Sequence, residues 1–189
     1  MKGHNIQTHR GRHSPHIRER GLTVIELMLT LSVIAVVASV AVPSFSDLIQ
    51  RQRIVAAANQ LVAGINLTRQ RAVMDNAITR ICPSASGLDC DAGNRWDLGW
   101  IIFRDPNNKR RPESPGLVLH VGGPLDELHS DSAGRTGIRY LPSGFATGTN
   151  LTIKLCDPHN PDNARAVIVS NSGRARVADL PDHLSCPGA

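Results

Sequence analysis

The sequence predicts an α+β fold: a long amino-terminal helix packed against a mainly antiparallel β-sheet head. Three observations carry this. Residues 22–42 form an apolar run with a single charge, Glu26. Residues 54–72 then repeat apolar side chains at three- and four-residue spacing, the mark of an amphipathic helix. From residue 78 onward, short strand-like segments are separated by Gly, Pro, Asn and Asp, with no helical crossover between them.

The run over 22–42 is long enough to span a bilayer as a helix. Glu26 inside it is costly, by roughly 2.5 kcal/mol or more for an acidic group at a helix centre. A partner that offers a positive group to Glu26 would offset that cost, so the segment reads as one that leaves lipid for a polymer. Pro43 follows and is expected to bend the rod, because it removes a helix hydrogen bond. In the second helical stretch Ile54, Ala58, Leu61, Ile65, Thr68 and Ala72 make one stripe, with Arg51, Arg53, Arg69 and Arg71 mostly off it. The helix is expected to end near Asn76.

The strand candidates are 78–82, 99–103, 117–121, 138–141, 151–156, 164–170 and 174–178. Within 96–103, Trp100 and Ile102 are expected to alternate on a strand with Trp96, Ile101 and Phe103, most of them in the core. Residues 104–115 read as a polar loop. Asn171-Ser172-Gly173 fits a tight hairpin turn between the last two strands, with Gly173 supplying a positive φ. The tail from Pro181 reads as irregular.

The chain has 189 residues and a formal charge of +5. Residues 1–21 hold Lys2, Arg10, Arg12, Arg18 and Arg20 against Glu19, a net of +4. Subtracting that from +5 leaves the remainder near +1, so the basic balance belongs to the amino-terminal end. Basic residues beside a membrane segment hold that end in the cytoplasm. They are no evidence for a nucleic-acid-binding head. His4, His9, His13 and His16 are scattered through the same stretch and make no metal site.

Cys82, Cys90, Cys156 and Cys186 all follow the membrane-length segment, where an exported head would meet an oxidising compartment. Four Cys allow three connectivities. The favoured pairing is Cys82 with Cys90, closing a short loop, and Cys156 with Cys186, stapling the tail to a strand. Zinc is the rival use, but there is no C-x-x-C pair and only His159 and His183 lie near. His120 and His129 complete no ligand spacing, and Ser and Asp form no nucleophile signature. The sequence therefore predicts no enzyme, no cofactor and no metal.

Gly21-Leu22-Thr23-Val24-Ile25-Glu26, ahead of the apolar run, resembles the processing site of type IV prepilins and type II secretion pseudopilins. The resemblance implies a type IV pilin-like fold and four regions: a cytoplasmic leader (1–21) cleaved off, a transmembrane or filament-core helix (22–42), an amphipathic helix (43–77) and a β-rich head (78–189). It implies that prepilin peptidase cuts after Gly21 and methylates the new terminus at Leu22. Leu22 replaces the usual phenylalanine. It also implies that Glu26 pairs with the terminal amine of a neighbouring subunit during assembly. Partners on this reading are the peptidase, other pilin subunits and the inner membrane. The head would be periplasmic, and on the pilus surface after assembly.

The stretch 96–105 (WDLGWIIFRD) resembles the tryptophan and Gly-Trp block of GspH/FimT-type minor pilins. Residues 152–178 resemble the carboxy-terminal half of the FimT branch, ending in Gly-Arg-x-Arg. On a strand, Arg174 and Arg176 project to one face about 7 Å apart, close to the phosphate spacing of a nucleic-acid strand. Arg165 on the partner strand and Lys154 would extend the patch, while Asp179 and Asp182 oppose its field. In FimT-like pilins the Gly-Arg-x-Arg region is implicated in binding DNA during natural transformation, which for this chain concerns Gly173, Arg174 and Arg176. Lys109-Arg110-Arg111 is a second basic cluster, read as a solvated charge run. No aromatic residues interleave either cluster, so any DNA binding would be backbone-directed, sequence-independent and salt-sensitive. The alternatives are a pilin that only primes filament assembly and a type II secretion pseudopilin.

Overall fold

The computed structural model describes residues 21–132, 134–181 and 183–186; of residues 42–44, 46 and 47 it describes the backbone alone. The leader therefore lies outside the described residues, apart from Gly21. One helix, α1, runs Val24–Met74. The chain divides into two compact units at Ser44/Phe45, one residue beyond Pro43. In the first unit Val24–Ala41 is apolar and long enough to cross a membrane, and its side chains are almost all exposed.

The second unit is the head. Every residue of the expected stripe is buried: Ile54, Ala58, Leu61, Ile65, Thr68 and Ala72. Thr68 is admitted because its hydroxyl donates to the Gly64 carbonyl at 2.8 Å, so no polar group is left unpaired. Arg51, Arg69 and Arg71 are exposed and Arg53 half-exposed. The helix stops because Asn76 takes a left-handed φ of 47°, and the Ala77 N–H returns to the Ala72 carbonyl at 3.2 Å. That six-residue closure satisfies a carbonyl that the ended helix would leave bare.

Among the described residues eight strands form two four-stranded sheets, and all the pairs are antiparallel: β1 (Thr79–Pro83), β2 (Trp100–Arg104), β3 (Val118–Gly122), β4 (His129–Ser132), β5 (Ile138–Tyr140), β6 (Leu151–Cys156), β7 (Ala164–Val169) and β8 (Ala175–Ala178). The orders are β3-β2-β1-β5 and β4-β6-β7-β8. One core joins α1 to both sheets, through Ile81, Trp100, Ile102 and Ile138 on the first and Ile153, Leu155, Val167 and Val169 on the second. The far face of the first sheet has its own small cluster, Cys82, Ile101 and Phe103. β1 and β2 are thus covered on both faces, and this is why β2 reads as a nearly unbroken apolar run.

Glycine fits where Trp100 demands it. A Cβ on Gly122 would overlap the indole, and one on Gly64 would lie 2.9 Å from the ring nitrogen. The helix and β3 reach this ring only because both positions lack side chains.

Two expectations need correction. Trp96 is not on a strand; it begins a 3₁₀ turn, Trp96–Leu98, and its indole N–H donates to the Ser132 hydroxyl at 3.0 Å. β4 was not anticipated. Its sequence, His-Ser-Asp-Ser, lacks apolar alternation; it is an edge strand whose inward Ser130 and Ser132 are fully buried. Asp97 anchors it, with its carboxylate accepting the Ser130 N–H at 3.2 Å and bonds from Arg95.

Candidate functional site

The amino-terminal end of α1 is built as a cap. Thr23 precedes the helix; its hydroxyl oxygen accepts the Glu26 N–H at 3.3 Å and its carbonyl accepts the Leu27 N–H at 3.1 Å. Thr-x-x-Glu is the pattern of a capping box. Glu26 therefore sits in the first turn, where the helix dipole favours a negative charge. Gly21, Leu22 and Glu26 are all exposed. The carboxylate has a local role in starting the helix as well as being free to meet a partner's cation.

The carboxy-terminal hairpin is fixed more tightly. Gly173 has φ +81°, and its N–H donates to the Ser170 carbonyl at 2.9 Å. The expected turn is present: a loop of Asn171, Ser172 and Gly173 with the glycine in the left-handed region. The Asn171 carbonyl accepts the Ala146 N–H at 3.0 Å, and the Gly173 carbonyl accepts the Tyr140 hydroxyl at 2.9 Å. Both bonds tie the hairpin to the first sheet and its following loop.

Arg174 and Arg176 are exposed, and neither has a carboxylate partner among the described residues. Ser170 donates its N–H to the Arg174 carbonyl at 3.1 Å, and Arg176 lies opposite Ile168. The strand pleat puts both arginines on the face of the second sheet that turns away from α1. Asp179 does not oppose them. It pairs with Arg165 at 3.1 Å. Asp182 lies outside the described residues.

Arg165 is placed differently from its expected position. It stands opposite Leu155, a core residue, and so on the face toward α1, across the sheet from Arg174 and Arg176. Lys154 is on the outer face, but its ammonium is committed to Asp131 at 3.2 Å and donates to the Ser185 carbonyl at 3.1 Å. Neither residue enlarges the arginine pair into one patch. The reason is the period of two along β7, which the sequence displays, combined with a strand β4 that the sequence conceals.

The disulfides are Cys82–Cys90 and Cys156–Cys186. The second ties the tail back across the outer face of β6, where Cys156, Ala164 and Cys186 form a small cluster.

A family model described as type II transport protein GspH matches residues 57–173, more than half of the chain. The chain belongs to the GspH family. Members of this group are pilin-like structural subunits and not enzymes. The match begins within the head-packed part of α1 and ends at Gly173, so Arg174 and Arg176 lie beyond it. Two crystal forms of the type IV minor pilin FimU of Pseudomonas aeruginosa share the fold. One matches with TM-score 0.52 and 18% identity over 70% of this chain and 96% of that one; the other with 0.54 and 17% over 72% and 95%. The minor pseudopilin EpsH of the Vibrio cholerae type 2 secretion system matches at TM-score 0.46 and 13% identity over 66% of this chain and 94% of that one. No curated protein matches the sequence. A GspH-family head behind a membrane-length apolar helix fits a membrane-anchored subunit that assembles with other pilin-like subunits.

Proposed function

We propose that this chain is a minor pilin of a type IV pilus, FimT-like, that holds DNA without sequence preference during natural transformation. It is made as an inner-membrane precursor, cut by prepilin peptidase between Gly21 and Leu22, and methylated at Leu22. It then enters the filament with Glu26 facing the terminal amine of a neighbour. The head is periplasmic at first and lies on the pilus surface after assembly.

The observation that supports the DNA reading is the isolation of Arg174 and Arg176. Neighbouring cations Lys154 and Arg165 are neutralised by Asp131 and Asp179, whereas the two hairpin guanidiniums are exposed without a carboxylate partner among the described residues. Each can take a phosphate with charge-assisted bonds. The decisive experiment titrates the processed chain, in a nonionic detergent, with unrelated DNA duplexes over a range of salt. Binding should not discriminate between sequences, and Arg174→Gln with Arg176→Gln should reduce the slope of log K against log salt by about 2. Absence of binding at low salt removes the reading.

The description of the matching family favours a second reading, a type II secretion pseudopilin that contacts exported protein. Deleting the gene separates the two: loss of DNA uptake with intact secretion supports the pilus, and the reverse supports the secretion system.

A further inference from the structure

A second cationic feature lies away from the hairpin, on the far side of the first sheet from α1. β1 and β5 pair so that Arg80 stands directly opposite Arg139. Like charges in directly opposed positions of an antiparallel pair are destabilising. Arg110 from the 104–115 loop and Arg135 from the approach to β5 join them, so that four guanidiniums line one cavity of about 270 Å³.

The counter-charge is small. Asp105, fully buried, pairs with Arg80, and its oxygens also accept the backbone N–H groups of Lys109 and Arg110 at 2.6 and 3.1 Å. Asn108 accepts a further bond from Arg80 at 2.6 Å. Arg80 is thus a satisfied wall of the cavity. Arg110, Arg135 and Arg139 have no carboxylate partner among the described residues. Arg135 and Arg139 donate only to the backbone carbonyls of Gly148 and Thr147. The Nε–H of Arg139 is shut off from solvent with no acceptor among the described residues. Buried unpaired donors are rare enough to require an explanation. Burial lowers the pKa of Arg80 against the effect of Asp105, and the charges of Arg139 and Arg110 lower it further.

The sequence holds these residues at positions that a fold has no need to make basic. Arg80 and Arg139 sit on short strands, and Thr or Val would serve the sheet better. Gly137, which also lines the cavity, lies tight against β1, since a Cβ there would meet the Ile81 carbonyl at 2.8 Å. We propose that the cavity is an oxyanion site that takes one phosphate group, with Arg110, Arg135 and Arg139 as its donors and Arg80 with Asp105 as its fixed back wall. A tetrahedral phosphate offers several acceptors to converging guanidiniums, and a carboxylate offers two oxygens in one plane. A cavity of about 270 Å³ has ample room for a phosphate group. The group is either inorganic phosphate or a phosphodiester of a nucleic-acid backbone; the recognising chemistry is the same. The site is independent of the hairpin, since Arg174 and Arg176 do not line it.

The test is titration of the processed chain, in a nonionic detergent, with inorganic phosphate and, separately, with acetate, read by calorimetry. Phosphate is expected to bind, and acetate at least tenfold more weakly. Arg139→Gln should weaken phosphate at least tenfold. Arg110→Gln, on the exposed rim and without a role in packing, should weaken it several-fold, which keeps the test valid if Arg139→Gln fails to fold. Arg174→Gln with Arg176→Gln should leave phosphate binding unchanged, which separates this site from the DNA reading above. Competition by a short oligothymidylate assigns the phosphodiester source; lack of competition assigns free phosphate. Failure of phosphate to bind, equal binding of acetate, or binding unchanged in both Arg139→Gln and Arg110→Gln would each overturn the proposal.

Discussion

The Tyr140 hydroxyl donates to the Gly173 carbonyl at 2.9 Å, joining the end of β5 to the turn that carries Arg174 and Arg176. The two residues also touch through space: a Cβ on Gly173 would come within 2.8 Å of the Tyr140 ring and would collide with the Gly144 carbonyl. The glycine ahead of the arginine pair is therefore fixed by packing, whatever the arginines bind.

Gly173→Ala should be strongly destabilising. A left-handed φ costs an ordinary residue about 1–2 kcal/mol, and the collision with backbone adds to it. Tyr140→Phe should cost about 1–2 kcal/mol by leaving the Gly173 carbonyl without its buried donor. Denaturant unfolding measures both, and the alanine variant is expected to be the weaker of the two.

Tyr140 also gives the head an alkaline limit. Burial pushes its pKa up to about 12, with Arg69 acting in the opposite direction. The folded value is above the ordinary value of about 10, so the unfolded chain loses its proton first. The stabilisation is complete below pH 10 and is lost as pH rises from about 10 to 12, by roughly 2–3 kcal/mol in all. The pH dependence of unfolding in that window should flatten in Tyr140→Phe.

The two disulfides close loops of different length, with sequence separations of 8 and 30. The chain-entropy model assigns them about 2.5 and 3.6 kcal/mol. Replacing Cys156 and Cys186 by Ser should therefore cost more than replacing Cys82 and Cys90. It should also free the tail, seen as faster proteolysis beyond Leu180.

The long-range pattern of this fold is legible in its sequence because periodicity reports burial. The stripe from Ile54 to Ala72 is buried at every position, and each of the seven anticipated strands is present to within a residue or so at each end. Polar groups that are buried in pairs leave no such trace. Ser132 is a core residue because Trp96 bonds to its hydroxyl, and the backbone N–H of Ser130 is held by Asp97; both bonds are invisible until the chain is folded. For the same reason Lys154 reads as a free cation in the sequence although Asp131 neutralises it. The arginine cavity was equally hidden, since Arg80, Arg110, Arg135 and Arg139 are brought together only by strand pairing and one loop.

Glu26→Gln keeps the hydrogen-bonding shape of the first turn and removes the charge. If the carboxylate is needed for a neighbour's amine, the variant should fold and be cut normally yet be depleted from filaments about tenfold. Quantitative blotting of sheared filaments against whole cells measures this.

The central claim is that this chain is a processed filament subunit. The intact mass of the protein in the sheared filament fraction tests it most directly. The expected species is residues 22–189 carrying one methyl group. Recovery only from the cell membrane, as the full 189-residue chain in cells with active prepilin peptidase, would contradict that claim.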